Sequence, residues 1–163
     1  VSEIKAYTIG VYGYTEKEFF SKLTDNNIDT FVDIRRRRGM RGSKYAFVNS
    51  AYLQNKLGEL GIKYIYVKDL SPTNDIRQNQ KNADQNLGST KQTRNELDET
   101  FINRYNTECL AGFDFENFLG QFNTNSKIVF FCVEEHPEAC HRGLVTKKLE
   151  NFPGIEITHI IGK

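Results

Sequence analysis

The chain has 163 residues, with 22 Lys plus Arg against 21 Asp plus Glu and a formal net charge of +1. That length suits one ordinary domain, and the near-neutral sum excludes a globally basic nucleic-acid protein, though not a local basic patch. Apolar residues make up 38%, and no apolar run approaches the roughly 18 residues of a membrane span, so a soluble globular protein with no membrane partner is expected. Three cysteines (Cys109, Cys132 and Cys140) form no disulfide framework, which places the chain in a reducing, cytoplasmic compartment.

Residues 7–13 read as a short strand opening into a glycine turn. Thr15-Glu16-Lys17-Glu18 is a capping box, and Phe19, Phe20 and Leu23 follow at helical spacing before Asp25-Asn26-Asn27 stops the helix. The β-branched and aromatic run 30–34 predicts a second strand, ending at Asp33 and a burst of arginines. A helix over about 50–60 carries Leu53, Leu57 and Leu60 on one face, with Gly61 as its stop, and 63–67 is a third strand. Residues 71–95 are dominated by Ser, Thr, Asn, Gln, Asp and Lys, which predicts a mobile polar loop or lid within a single domain spanning 1–163. Helical patterning resumes over 96–105 and 113–122. The strongly apolar run 127–133 is a central strand buried on both faces; a helix then starts near Pro137, and a last strand covers 156–160. Strands alternating with helices predict an α/β fold, a three-layer open sheet, mostly parallel and Rossmann-like. Ligands in such sheets bind outside the carboxyl ends of the strands, where three polar segments fall: 10–14, 33–44 and 132–142.

Arg35, Arg36, Arg37, Arg38, Arg41 and Lys44 place six cations within ten residues. Guanidinium groups grip phosphate or carboxylate in a bidentate fork, so this segment reads as anion-binding, with Asp33 orienting an arginine. The second segment runs from Cys132 through Glu134 to Cys140-His141-Arg142, at the N-terminus of a helix whose dipole favours an anion and a thiolate. There Cys140 is a candidate nucleophile, His141 and Glu134 candidate acid/base groups, and Arg142 a candidate anion clamp; Cys132 continues the apolar strand and lines the ligand site. Neither a Walker loop nor a phosphatase-type Cys-x5-Arg loop is present. A metal centre from Cys132, Glu134, Cys140 and His141 matches no standard zinc spacing, so no metal ligand is assigned, and no cofactor is indicated.

These motifs resemble the domain-of-unknown-function 488 family over nearly the full length. The matching features are Tyr7-Thr8-Ile9-Gly10, Asp33-Ile34-Arg35 with the basic stretch ending at Phe47, Leu57 to Gly61-Ile62-x-Tyr64, and Phe131-Cys132-x-Glu134 with Cys140-His141-Arg142. The resemblance implies a compact α/β protein and, by motif position, marks Asp33, Arg35, Cys132, Glu134, Cys140, His141 and Arg142. The functional expectation is a small enzyme, a hydrolase or transferase, acting on a phosphate-bearing, nucleotide-like substrate. In it Arg35, Arg37 and Arg142 hold the anion, while Glu134, Cys140 and His141 carry the chemistry. Two alternatives stand beside it: a non-catalytic nucleic-acid-binding module using the Arg35–Lys44 cluster with Tyr45 and Phe47, and a thiol- or metal-dependent redox protein using Cys132 and Cys140.

Overall fold

The computed structural model describes residues 3–162. Five strands, β1 (Ile4–Ile9), β2 (Thr30–Asp33), β3 (Lys63–Tyr66), β4 (Lys127–Phe131) and β5 (Ile155–Ile160), form one sheet in the order β3-β2-β4-β1-β5. Every pairing is parallel, so the sheet is entirely rather than mostly parallel. The helices are α1 (Glu16–Asp25), α2 (Ser50–Glu59), α3 (Asn74–Asn86), α4 (Glu99–Tyr105), α5 (Phe115–Leu119) and α6 (His141–Leu149). Alternate residues of β4 show how both faces are covered. The Phe131 ring meets Phe19 of α1 at 5.5 Å, while the Phe130 ring on the opposite face meets Phe118 of α5 at 6.1 Å. No helix among the described residues is long and apolar enough to cross a membrane.

The capping box forms as expected: Thr15 Oγ1 accepts from the Glu18 N–H at 3.2 Å, and Glu18 Oε1 accepts from the Thr15 N–H at 2.8 Å. Thr15 is exposed, so its contribution is local. Thr15→Ala is expected to lower stability by about 1 kcal/mol in urea unfolding, with Thr15→Ser close to wild type.

The expectation of a loop throughout 71–95 is corrected for residues 74–86, which form α3. Thr73 caps this helix by accepting from the Ile76 N–H, and its buried face is Ile76, Gln80 and Asp84 at spacing i, i+4, i+8. Only one of those three is aliphatic. The polar pair is satisfied internally, because Gln80 donates to Asp84 (2.8 Å) and accepts from the Asp98 N–H (2.8 Å). A helix whose buried stripe is hydrogen-bonded amide and carboxylate leaves no hydrophobic period in the sequence.

Candidate functional site

The order β2-β4-β1 brings the carboxyl ends of three strands together, and the loop after β4 lies between the other two. Val11 and Tyr12, just after β1, both donate backbone N–H to the Val133 carbonyl (3.0 and 3.1 Å). The approach is so close that a Cβ on Gly10 would sit 1.8 Å from the Glu134 carbonyl oxygen. From below, Arg142 is fully buried and donates through Nη1 to Glu134 O (2.6 Å) and through Nη2 to Glu135 O (3.0 Å). Its two terminal nitrogens therefore shape the β4–α6 loop, while its buried Nε has no hydrogen-bond partner.

Within that frame Cys132, Glu134, Cys140 and His141 are all buried. Cys140 is the extended N-cap of α6 (φ −140°, ψ 149°), and its Sγ lies 3.7 Å from Nδ1 of His141, the first helical residue. The other ring nitrogen, Nε2, is 2.7 Å from the Ile34 carbonyl oxygen. A carbonyl only accepts, so Nε2 carries a proton, and Nδ1 faces the sulfur, where it takes the proton of a thiol and then donates to the thiolate. Burial opposes ionisation of Cys140, but the neighbouring Cys132 thiol, His141 and Arg142 bring it well below the ordinary thiol range. Cys132 moves well above that range, chiefly through burial and its contact with Cys140, so Cys140 is the first of the pair to ionise.

Glu134 accepts from Arg94 Nη2 at Oε1 (2.8 Å), with Lys91 3.9 Å from the same oxygen, while its buried Oε2 has no hydrogen-bond partner. Burial, helped by Cys140, raises the Glu134 carboxyl against the opposing pull of Lys91 and Arg94. Arg94 also donates to Asp84 Oδ2 (3.0 Å) and to the Ala139 carbonyl (3.0 Å). One side chain thus ties the segment after α3 to the end of that helix and to the β4–α6 loop, and burial of its charge is outweighed by Glu134 and Asp84, which raise its pKa.

The six-cation run does not form one patch. Arg35 is buried and grips Asp33 in a bidentate pair, Nε to Oδ1 at 2.9 Å and Nη2 to Oδ2 at 2.8 Å, with its guanidinium 4.8 Å from the Phe131 ring centre. Arg38 lies 4.1 Å from the Tyr66 ring centre and donates to Ser50. Arg36 donates to the Pro72 carbonyl, and Arg37 is exposed and forms no ion pair with a described residue. Arg77, on the first turns of α3, sits near enough to Arg37 and Arg36 that burial and then their like charges lower its pKa. Tyr45 and Phe47 are buried, Phe47 against Phe19 and Phe20, so neither ring is a surface for stacking bases. His159, in the β5 edge strand, bonds Thr8 through Nδ1 at 2.7 Å, far from the thiols in the sequence and outside this centre.

Sequence reasoning missed Arg77, Asp84, Lys91 and Arg94, all in the segment read as a loop. The available signal was Thr73 as a cap, followed by Ile76, Gln80 and Asp84 at one-turn intervals. No curated protein and no solved structure matches the chain. The family model described as "Domain of unknown function DUF488" matches residues 15–149, most of the chain and all of the residues of the centre. The chain belongs to the DUF488 family.

Proposed function

We propose that this chain is an enzyme, a hydrolase or transferase, acting on a phosphate-bearing, nucleotide-like small molecule at the carboxyl ends of β1, β2 and β4. The observation that carries this reading is the thiol–imidazole pair of Cys140 and His141, with the buried carboxyl of Glu134 close enough to feel both charges and Arg94 and Lys91 at its Oε1. His141 Nδ1 accepts the Cys140 proton, and the sulfur attacks the electrophilic atom beside the phosphate. Glu134 passes a proton to the group that leaves with the bonding pair; water or an acceptor then takes the bound fragment from sulfur. Arg142 and Arg35 are buried and spend two of their three guanidinium nitrogens on backbone carbonyls and on Asp33, so the phosphate is held by exposed Arg37 and by Arg77 at the N-terminal end of α3. Substrate entry displaces Arg94 from Glu134, and the phosphate replaces the carboxylate as its partner.

Thermal unfolding with inorganic phosphate, mononucleotides, dinucleotide cofactors and short single-stranded oligonucleotides, at two salt concentrations, tests this. A ligand at 100 times its Kd stabilises by about 2.7 kcal/mol, a shift of a few degrees. A salt-tolerant shift with one nucleotide is expected in the wild type and in Arg41→Ala, and its loss in the double variant Arg37→Ala/Arg77→Ala. A shift confined to oligonucleotides and lost at high salt would replace this reading by the nucleic-acid module.

A further inference from the structure

The Cys132–Cys140–His141 group has a property that its place in the sequence conceals. The Sγ atoms of Cys132 and Cys140 and a ring nitrogen of His141 all lie within 4.8 Å of one another, and all three residues are buried. We propose that they form a binding site for a thiophilic d10 cation, of which Zn²⁺ is the probe of choice. In a four-coordinate zinc site with Zn–S of about 2.3 Å and Zn–N of about 2.0 Å, neighbouring donors stand roughly 3.5–3.8 Å apart. Cys140 Sγ and His141 Nδ1 are already 3.7 Å apart, so the remaining adjustment is a small rotation of side chains.

Two further observations point the same way. Metal-bound histidines hand their second ring N–H to a carbonyl or carboxylate that fixes the tautomer, and His141 does this with the Ile34 carbonyl at 2.7 Å. Consecutive residues are ordinarily poor co-ligands. Here the chain passes from extended backbone at Cys140 into the first turn of α6 at His141, and that change of direction aims both side chains at one point. Two thiolates and a divalent cation also sum to no net charge, which suits a site shut off from water. The fourth position falls to water. Loading engages the Cys140 sulfur, so cation binding and the thiol reaction proposed above exclude each other, although the site itself does not depend on that reaction.

The test uses the whole chain, purified in reductant and stripped with a chelator. Titration with Co²⁺ is expected to give thiolate-to-metal charge-transfer absorption and the intense visible bands of a tetrahedral ion, saturating at one equivalent. Zn²⁺ displaces the Co²⁺ and raises the Tm. Cys109→Ser keeps the spectrum, and Cys140→Ser and His141→Ala lose or redden it. The wild-type spectrum decides the matter even where a variant fails to fold. Absence of a thiolate band, its loss in Cys109→Ser, or a Cys132–Cys140 disulfide that persists in reductant would overturn the proposal. None of these readouts moves with the phosphate panel, so either idea fails alone.

Discussion

Gly10→Ala is expected to be among the most damaging single-methyl substitutions in the molecule. The added Cβ would meet the Glu134 carbonyl oxygen at 1.8 Å, where real Cβ atoms keep at least 3.0 Å. Both partners are backbone, so no side-chain rotation relieves the clash. The end of β1 must part from the β4–α6 loop by more than an ångström, and the bonds from Val11 and Tyr12 to Val133 open with it. Overpacking of this kind costs about 3 kcal/mol. Urea unfolding of Gly10→Ala beside Gly39→Ala, whose Cβ meets nothing within 4 Å, isolates the steric term. A loss below about 1 kcal/mol in Gly10→Ala would mean that the loop gives way. Because Glu134 rides on that loop, any ligand-induced rise in Tm is expected to vanish in the same variant.

Asp33→Asn is expected to cost about 3–5 kcal/mol, because it leaves Arg35 charged and buried without its counter-ion. Asp33 is fully buried and accepts from Arg35 Nε, from Arg35 Nη2, from the Arg35 N–H and from the Tyr64 hydroxyl. An asparagine turns an NH₂ toward those donors, and Arg35 Nη1 is already without a partner. Urea unfolding reads the loss. The double variant Asp33→Leu/Arg35→Met recovers much of it if the penalty comes from the stranded charge. A second readout is Tyr64, whose hydroxyl is pushed up to about 12 by burial and then by the Asp33 carboxylate. Removing that negative charge stabilises the phenolate, so Tyr64 titrates at lower pH in Asp33→Asn, an effect visible by ultraviolet titration.

The sheet was legible in the sequence because each strand is apolar on the face or faces it buries, as in Ile128–Phe131 of β4, and because Thr15-x-x-Glu18 and Gly61 mark helix ends with local chemistry. Those signals act over a few residues and survive in a bare sequence. The rim of the site was not legible, because α3 buries Gln80 and Asp84 and the ties of Arg94 run 10 residues to Asp84 and 40 to Glu134. Composition marks such a segment as solvated whether its polar groups face water or each other. The arginine run misled in a related way. Four adjacent guanidinium groups suggest one anion site, but consecutive side chains leaving a strand end diverge, and Arg35 and Arg38 turn inward to Asp33 and the Tyr66 ring. Cys140, His141 and Arg142 fall as a block where a helix starts, yet only the extended backbone at Cys140 reveals that thiol and imidazole meet while Arg142 points into the loop.

The position of β4 between β1 and β2 also governs how the chain acquires its shape during synthesis. Strand β2 finds β3 after a short crossover, but β1 pairs only with β4 and β5, whose residues follow more than a hundred positions later. At ribosomal speeds of about 5–20 residues per second, Ile4–Ile9 waits on the order of 10 seconds for its first neighbour. Its apolar residues and both hydrogen-bonding edges stay open throughout that wait. Sheet closure is then a late event joining distant segments, the kind of topology that folds slowly and leaves an open strand exposed to wrong partners meanwhile.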